Sequence, residues 1–355
     1  MPQKPRKQEQ EEARSEISEI APNVLRMELP IQMPGLGHVN MYALLDDEGA
    51  AVVDPGLPGK DSWAAIQHRL KQAGLAPKDI HTVLITHSHP DHFGGANRFA
   101  KESGAEIVAH RSFRFGVMEA TDESDVSVED LAASEDDAAH RQVIDRWNRR
   151  TPWGGQHPRP PFKMRLRWRA ARWLGRGMVP PITKPVAAGD VLPLAGREWF
   201  VRHTPGHTED HICFHCPEDG LFLTGDHVLP TITPHISGLA FHKDPLLQFF
   251  ESLEQVAAIE NVKQALPAHG HPFDDLAGRA MAIKEHHYDR LDTVKRIGRE
   301  LGPANVQAFS RKLFKQRSWG EMAESETFAH LEHLRHIGDA ESHRDEEGFL
   351  IYETG

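Results

Sequence analysis

Within six residues, His87-Ser88-His89-Pro90-Asp91-His92 offers three imidazoles and a carboxylate. Histidine is the commonest protein ligand for zinc-like ions, and aspartate adds a hard oxygen donor. The chain holds 24 His, so an isolated H-x-H carries little information. The complete H-x-H-x-D-H behind an apolar run is rarer and points to a metal loop. One loop cannot close a two-ion site, so further ligands are expected on other loops. Thr204-Pro205-Gly206-His207, Thr224-Gly225-Asp226 and Pro267-Ala268-His269-Gly270 each follow an apolar run. Each also carries a Gly or Pro that lets the backbone turn tightly and expose the side chain. Asp54, in Val52-Val53-Asp54-Pro55-Gly56, sits at a strand end beside a tight turn.

These loops need rigid elements behind them. Residues 80–85 are apolar and β-branched, which reads as a buried strand feeding the histidine run. Residues 41–45 and 50–53 read as a hairpin turning at 46–49, and 61–73 has helical spacing stopped at Gly74. A helix near 95–102 and a strand at 106–109 continue an α/β alternation. The rhythm resumes with strands at 189–194, 198–202, 212–214 and 221–223, then helices at 246–259 and 278–301. Between them, 111–185 reads as an insertion, acidic over 119–137 and basic over 141–184. Trp147, Trp153, Trp168 and Trp173 interleave the basic half. A lid, inert packing, a membrane-surface contact or a nucleic-acid contact all fit this composition. The segment 306–353 reads as separate: a helix over 322–337, a charged turn, and a short strand, as in a winged-helix ending. Its acidic wing suits packing or dimerisation better than DNA.

The length of 355 residues allows one large domain and a small one. A net charge of -11 argues against a surface devoted to nucleic acid. No window approaches a transmembrane span. Residues 1–19 lack the apolar core of a signal peptide and read as a flexible tail. Cys213 and Cys216, three apart on a strand-like stretch, are poorly placed for a disulfide and read as buried thiols. A cytoplasmic location is therefore expected.

The chain resembles the metallo-β-lactamase superfamily. The motifs that carry the likeness are His87-x-His89-x-Asp91-His92, His207 in T-P-G-H-T, Asp226 in T-G-D, His269 in P-A-H-G, and Asp54 in V-V-D-P-G. They fall in the family's order over residues 24–281, the insertion apart. The resemblance implies an α/β fold, an αβ/βα sandwich with a helical insertion and a small C-terminal winged-helix-like domain. The division expected is a tail at 1–19, a metallo-β-lactamase-like domain at 20–281 containing the 111–185 insertion, and a helical C-terminal domain at 282–355. It also implies one divalent ion on His87, His89 and His207, and a second on Asp91, His92 and His269, with Asp226 shared. Zinc is the expected metal, with iron or manganese as alternatives. Asp91 is then the catalytic residue that orients the nucleophile, while Asp54, His211 and His271 are hydrogen-bonding partners behind the ligands.

The implied reaction is hydrolysis of an ester, thioester or lactone by hydroxide generated at the metals, as in glyoxalase II-like members. The C-terminal segment, with His286-His287-Tyr288-Asp289-Arg290, is similar to the lactamase-β-like 2 subgroup. That subgroup makes a single-strand endoribonuclease the alternative, with the basic arm contacting phosphates. A nucleic-acid-binding or regulatory protein with structural metals is the reading from another class. A small-molecule substrate is the expected partner, nucleic acid the second, and a homo-oligomer is compatible with the chain. His110 and His227 are read as polar residues near loops. His286, His287, His330, His333 and His336 are expected to be solvated or cap-like.

Overall fold

The computed structural model describes residues 7–33, 35–114, 151–155, 179–240 and 242–355. The acidic run 119–137, and Trp147, Trp168 and Trp173 with most of the basic arm, lie outside the described residues. Two sheets form the middle of the molecule. The first has seven strands in sequential order: β1 (Ile17–Ala21), β2 (Val24–Met33), β3 (Leu36–Asp46), β4 (Gly49–Val53), β5 (Ile80–Leu84), β6 (Glu106–His110) and β7 (Lys184–Val186). Pairing is antiparallel from β1 to β4 and parallel from β4 to β7. The crossovers include α1 (Lys60–Gln72) after β4, and α2 (Pro90–Phe93) with α3 (Ala96–Glu102) after β5. The second sheet contains β8 (Val191–Leu194), β9 (Arg197–His203), β10 (Ile212–Cys216), β11 (Leu221–Gly225) and β12 (Gln264–Pro267), in spatial order β12-β11-β10-β9-β8. There only β11 and β12 run parallel.

Alternation along each strand explains the layers. Val53, Leu84 and Val108 face Val201, Phe214, Leu223 and Leu266 of the second sheet, in the core between the sheets. Their chain neighbours Val52, Val83 and Ile107 point the other way, onto Trp63, Ile66 and Leu70 of α1 and Phe99 of α3. Strands buried on both faces need apolar residues at both parities, which is why they read as continuous runs. On the far side, Cys213, Phe222 and Ala265 back onto α4 (Pro245–Ala257) and α5 (Leu276–Leu301). This is the αβ/βα sandwich. Asp244 caps α4 by accepting the Leu247 N–H at 2.9 Å, with Pro245 at the first helical position. Fully burying a side chain such as Phe222 stabilises the fold by about 1.5–3 kcal/mol.

The C-terminal residues follow α5 as β13 (Ala304–Asn305), α6 (Val306–Leu313), α7 (Glu321–His336), β14 (Ala340–Arg344) and β15 (Leu350–Thr354). The last three strands make a small sheet in the order β13-β15-β14. The boundary expected after residue 281 falls inside the unbroken helix α5. The appended C-terminal elements pack on the sandwich: Val294, Ile297, Phe309, Leu331 and Tyr352 share one apolar cluster with Phe222 and Phe249. The described piece of the insertion joins them, with Trp153 buried against Phe328 at 5.2 Å and its carbonyl accepting the Leu350 N–H.

Two expectations need correction. From Gln8 onward the N-terminal residues contact the rest of the protein, with Glu9 fully buried and β1 beginning at Ile17. Polarity made them look like a tail, but their partners are loop N–H groups far along the chain. His287, His330 and His333 are buried between helices rather than solvated. His287 pairs with His330 across two helices and His333 with the cap residue Asp244, so helical spacing alone could not reveal them.

Candidate metal centre

The strands deliver their loops to one edge. Beyond β5, Ile85 still donates its N–H to the Val108 carbonyl, and the chain then turns through Thr86 to His89 before α2. Pro90 starts that short helix, which places Asp91 and His92 in one turn. Gly225, at φ 52°, ends β11 and presents Asp226. A Cβ on Gly225 would come within 2.7 Å of His211 Nε2, so a larger residue would displace that ring. The neighbouring strand β12 hands over directly, since Ala268 donates to the Gly225 carbonyl just before His269. Gly206, at φ 131°, lets the His207 loop lie against the backbone of Phe249.

Seven side chains converge there in two groups. His87, His89, His207 and Asp226 form one, and Asp91, His92 and His269 the other. In the first, His89 Nδ1 lies 2.9 Å from His87 Nε2 and 3.1 Å from His207 Nε2. In the second, Asp91 Oδ2 is 3.5 Å from both His92 Nε2 and His269 Nε2. Asp226 reaches both groups: its carboxylate lies 3.6 Å from His207, 3.6 Å from His92 and 3.4 Å from His269.

The hydrogen bonds behind the rings determine which nitrogen faces inward. His92 donates from Nδ1 to Asp54, His207 to the His235 carbonyl, and His269 to the His38 carbonyl, at 2.9, 2.8 and 2.6 Å. Thr86 gives its hydroxyl hydrogen to Asp54, so its oxygen is left to accept from His87 Nδ1. In all four rings Nε2 therefore points into the cleft. Asp54 also accepts the Thr86 N–H, and it adopts a left-handed φ of 54° that few non-glycine residues tolerate. His211 accepts the Asp226 N–H on Nε2, which leaves its Nδ1 hydrogen for Thr204 Oγ1. His271 joins neither group; its ring contacts Glu11 and Arg26 instead.

This donor set fits divalent cations. His92 Nε2, His269 Nε2 and Asp226 Oδ1 are buried with no hydrogen-bond partner among the described residues, an unfavourable arrangement unless a cation sits among them. Charge points the same way. Burial acts to raise the Asp91 and Asp226 carboxyls, yet His92 and His269 hold both well below the usual range. Burial acts to lower His269, but Asp226 and Asp91 pull it up to about 10. In the first group, burial and then the His207 ring push His89 down to about 3. Two buried carboxylates among imidazoles thus call for positive charge, and together the clusters make a dinuclear metal-binding site.

Thr86, Thr204 and the carbonyls of His38 and His235 were not foreseen from sequence. Thr86 precedes the histidine run and was readable as a neighbour, whereas a carbonyl has no side-chain signature.

Fold and site together define a metallo-β-lactamase-type protein with a two-ion cleft. The chain matches the metallo-beta-lactamase superfamily over residues 34–300 and belongs to it. A metallo-beta-lactamase family protein of Thermus thermophilus has a similar structure, with a TM-score of 0.70 and 26% identity over 95% of this chain and 100% of that one. The probable metallo-hydrolase YqjP of Bacillus subtilis is 24% identical, covering 84% of this chain and 88% of its own length. A hydroxyacylglutathione hydrolase of Maricaulis maris is 34% identical over 26% of this chain and 35% of its own. It and two fungal relatives are matched over only 28% to 35% of their lengths.

Proposed function

We propose that this protein is a dinuclear metal-dependent hydrolase acting on an ester, thioester or lactone. The observation that carries the reading is the convergence of seven ligand side chains, with Asp226 common to both groups. His87, His89 and His207 would hold one ion, Asp91, His92 and His269 the other, and zinc suits the imidazole-rich set. When bound, two such ions supply a nucleophilic oxygen at neutral pH and polarise the substrate carbonyl. The chain's own residues do the rest. Asp91, kept ionised, accepts a hydrogen bond from the attacking water, orients it and can take its proton for transfer to the leaving group. Asp54 and the His38 and His235 carbonyls hold the rings against rotation, so the ligand geometry is set before substrate arrives. The hydroxyacylglutathione hydrolases among the relatives favour thioesters within this class.

The order α5, β13, α6, α7, β14, β15 supports a winged-helix-like C-terminal unit built onto the sandwich. The two buried free cysteines suit a reducing compartment such as the cytoplasm. Among the described residues no helix is long and apolar enough to cross a membrane. The test is metal analysis of purified protein, followed by assay against thioesters, lactones and a single-stranded oligonucleotide. Two equivalents of metal with thioester or lactone turnover are expected; metal-loaded protein that cleaves only the oligonucleotide overturns the substrate class.

A further inference from the structure

The segment around Glu9 and Glu11 touches the loops that leave β11 and β12, and His38 within β3. Glu9 is fully buried, and its carboxylate accepts the Thr231 and Ile232 N–H groups, at 2.7 and 3.0 Å, and the Thr231 hydroxyl. Arg279 of α5 satisfies the same loop from the other side, donating to the Leu229 and Ile232 carbonyls. That loop runs from Asp226 to His235, whose carbonyl orients His207. Gln8 Oε1 accepts the His271 N–H, and Glu11 Oε2 lies 2.9 Å from His271 Nε2. The Glu11 carbonyl accepts from His38 Nδ1 at 2.8 Å, which frees His38 Nε2 to accept the Gly270 N–H. The His38 carbonyl, in turn, holds His269.

We propose that residues 8–11 are a positioning strap for the metal centre, acting through His38 and the 270–271 turn on His269. The inference rests on the two-ion reading above. Gln8 and Glu11 converge on the His269 loop directly, whereas Glu9 reaches His207 only through the far end of the 226–235 loop, and His87 and His89 are carried on the β5 loop. Losing the strap should therefore loosen the Asp91–His92–His269 group more than the other. A carboxylate that takes two backbone N–H groups and a hydroxyl is an expensive group to bury unless the whole arrangement is held together. Gly37 gives an independent handle. The strap backbone lies so close to it that an added Cβ would sit 2.1 Å from the Glu11 carbonyl oxygen. A single methyl group on β3 thus dislodges the strap without altering its sequence.

The experiment titrates zinc into metal-free protein against a chromophoric chelator, for the full chain, a variant lacking residues 1–12, and Gly37→Ala. Circular dichroism checks that each is folded. The full chain should take up two equivalents. In both variants the first should bind with nearly unchanged affinity and the second about 10–100-fold more weakly, as when the partner behind a ligand is lost. Fewer than two equivalents in the full chain removes the two-ion reading itself. Two equivalents in the full chain, with equal affinities in the variants, overturns the strap while leaving that reading intact. If the truncated chain does not fold, Gly37→Ala alone decides between these outcomes.

Discussion

Two groups of buried histidines lie in one molecule and do opposite things. In the cleft, rings from three loops aim nitrogens inward beside Asp91 and Asp226. In the seam between α4, α5 and α7, His287 and His330 pair with each other, and His330 also with the backbone. His287 Nε2 has no partner among the described residues, and His333 pairs with Asp244. His330 donates from Nδ1 to the Glu326 carbonyl at 2.7 Å, and its Nε2 accepts from His287 Nδ1 at 3.1 Å. The two rings stack 5.2 Å apart, with Phe249 and Phe250 against His287. Protonation follows the surroundings. Burial holds His287 and His330 well below the ordinary value, helped by the His330 ring and Arg290 at His287 and by Arg290 and His333 at His330. In the cleft the carboxylates overcome burial at His92 and His269 and raise both, while His87, His89 and His207 stay lowered by burial as the seam rings are. Burial and histidine content are therefore not what makes a metal site. Ring nitrogens from several loops converging on buried carboxylates are.

The comparison is broken most easily at the cleft carboxylates. Asp91→Asn should lower kcat by about 10²–10⁴-fold, by analogy with losing a positioned proton acceptor, and leave the circular dichroism spectrum unchanged. Wild-type turnover in such a variant, once its metal content is verified, would falsify the assigned role. One step back, Asp54→Ala removes the partner of both His92 and Thr86. Metal affinity should fall by about 10–100-fold, read by chelator competition.

The seam should respond to acid. Folded-state values of His287 and His330 lie below the unfolded value of 6.5, so as pH falls the unfolded chain takes up protons first. Their stabilising contribution is complete above 6.5 and is lost as pH falls through the folded-state values. The melting temperature of the intact protein should thus be lower at pH 5 than at pH 7.5, and His287→Phe should flatten that slope. An unchanged slope in the variant places the acid sensitivity elsewhere. The smallest effect expected is on metal: His287→Phe should leave zinc stoichiometry untouched. Loss of zinc there would mean that the seam and the cleft are one system.

How much of this was legible beforehand differs between the same two regions. The His87–His92 run, His207, Asp226 and His269 each stood behind an apolar strand and beside Gly or Pro, so local pattern exposed them. The His287–His330 pair looked like helix-surface residues, because their partners come from helices distant in sequence. The N-terminal segment misled for a related reason. Its polar composition resembles that of a disordered tail, while Glu9 is satisfied by N–H groups more than two hundred residues away. The α5 helix likewise ran through an expected domain boundary, since its apolar face serves the sandwich and the C-terminal unit alike.

By itself, then, the sequence determined the ligand inventory and the alternation of strands and helices, since both are encoded by neighbouring residues: donor types, turn formers and the parity of apolar positions. Only the tertiary structure decided the rest: which nitrogen of each ring faces the cleft, and that Glu9 and Glu11 meet the loops after β11 and β12. Those facts depend on main-chain carbonyls and N–H groups. Every residue has them, so only folding selects which ones meet.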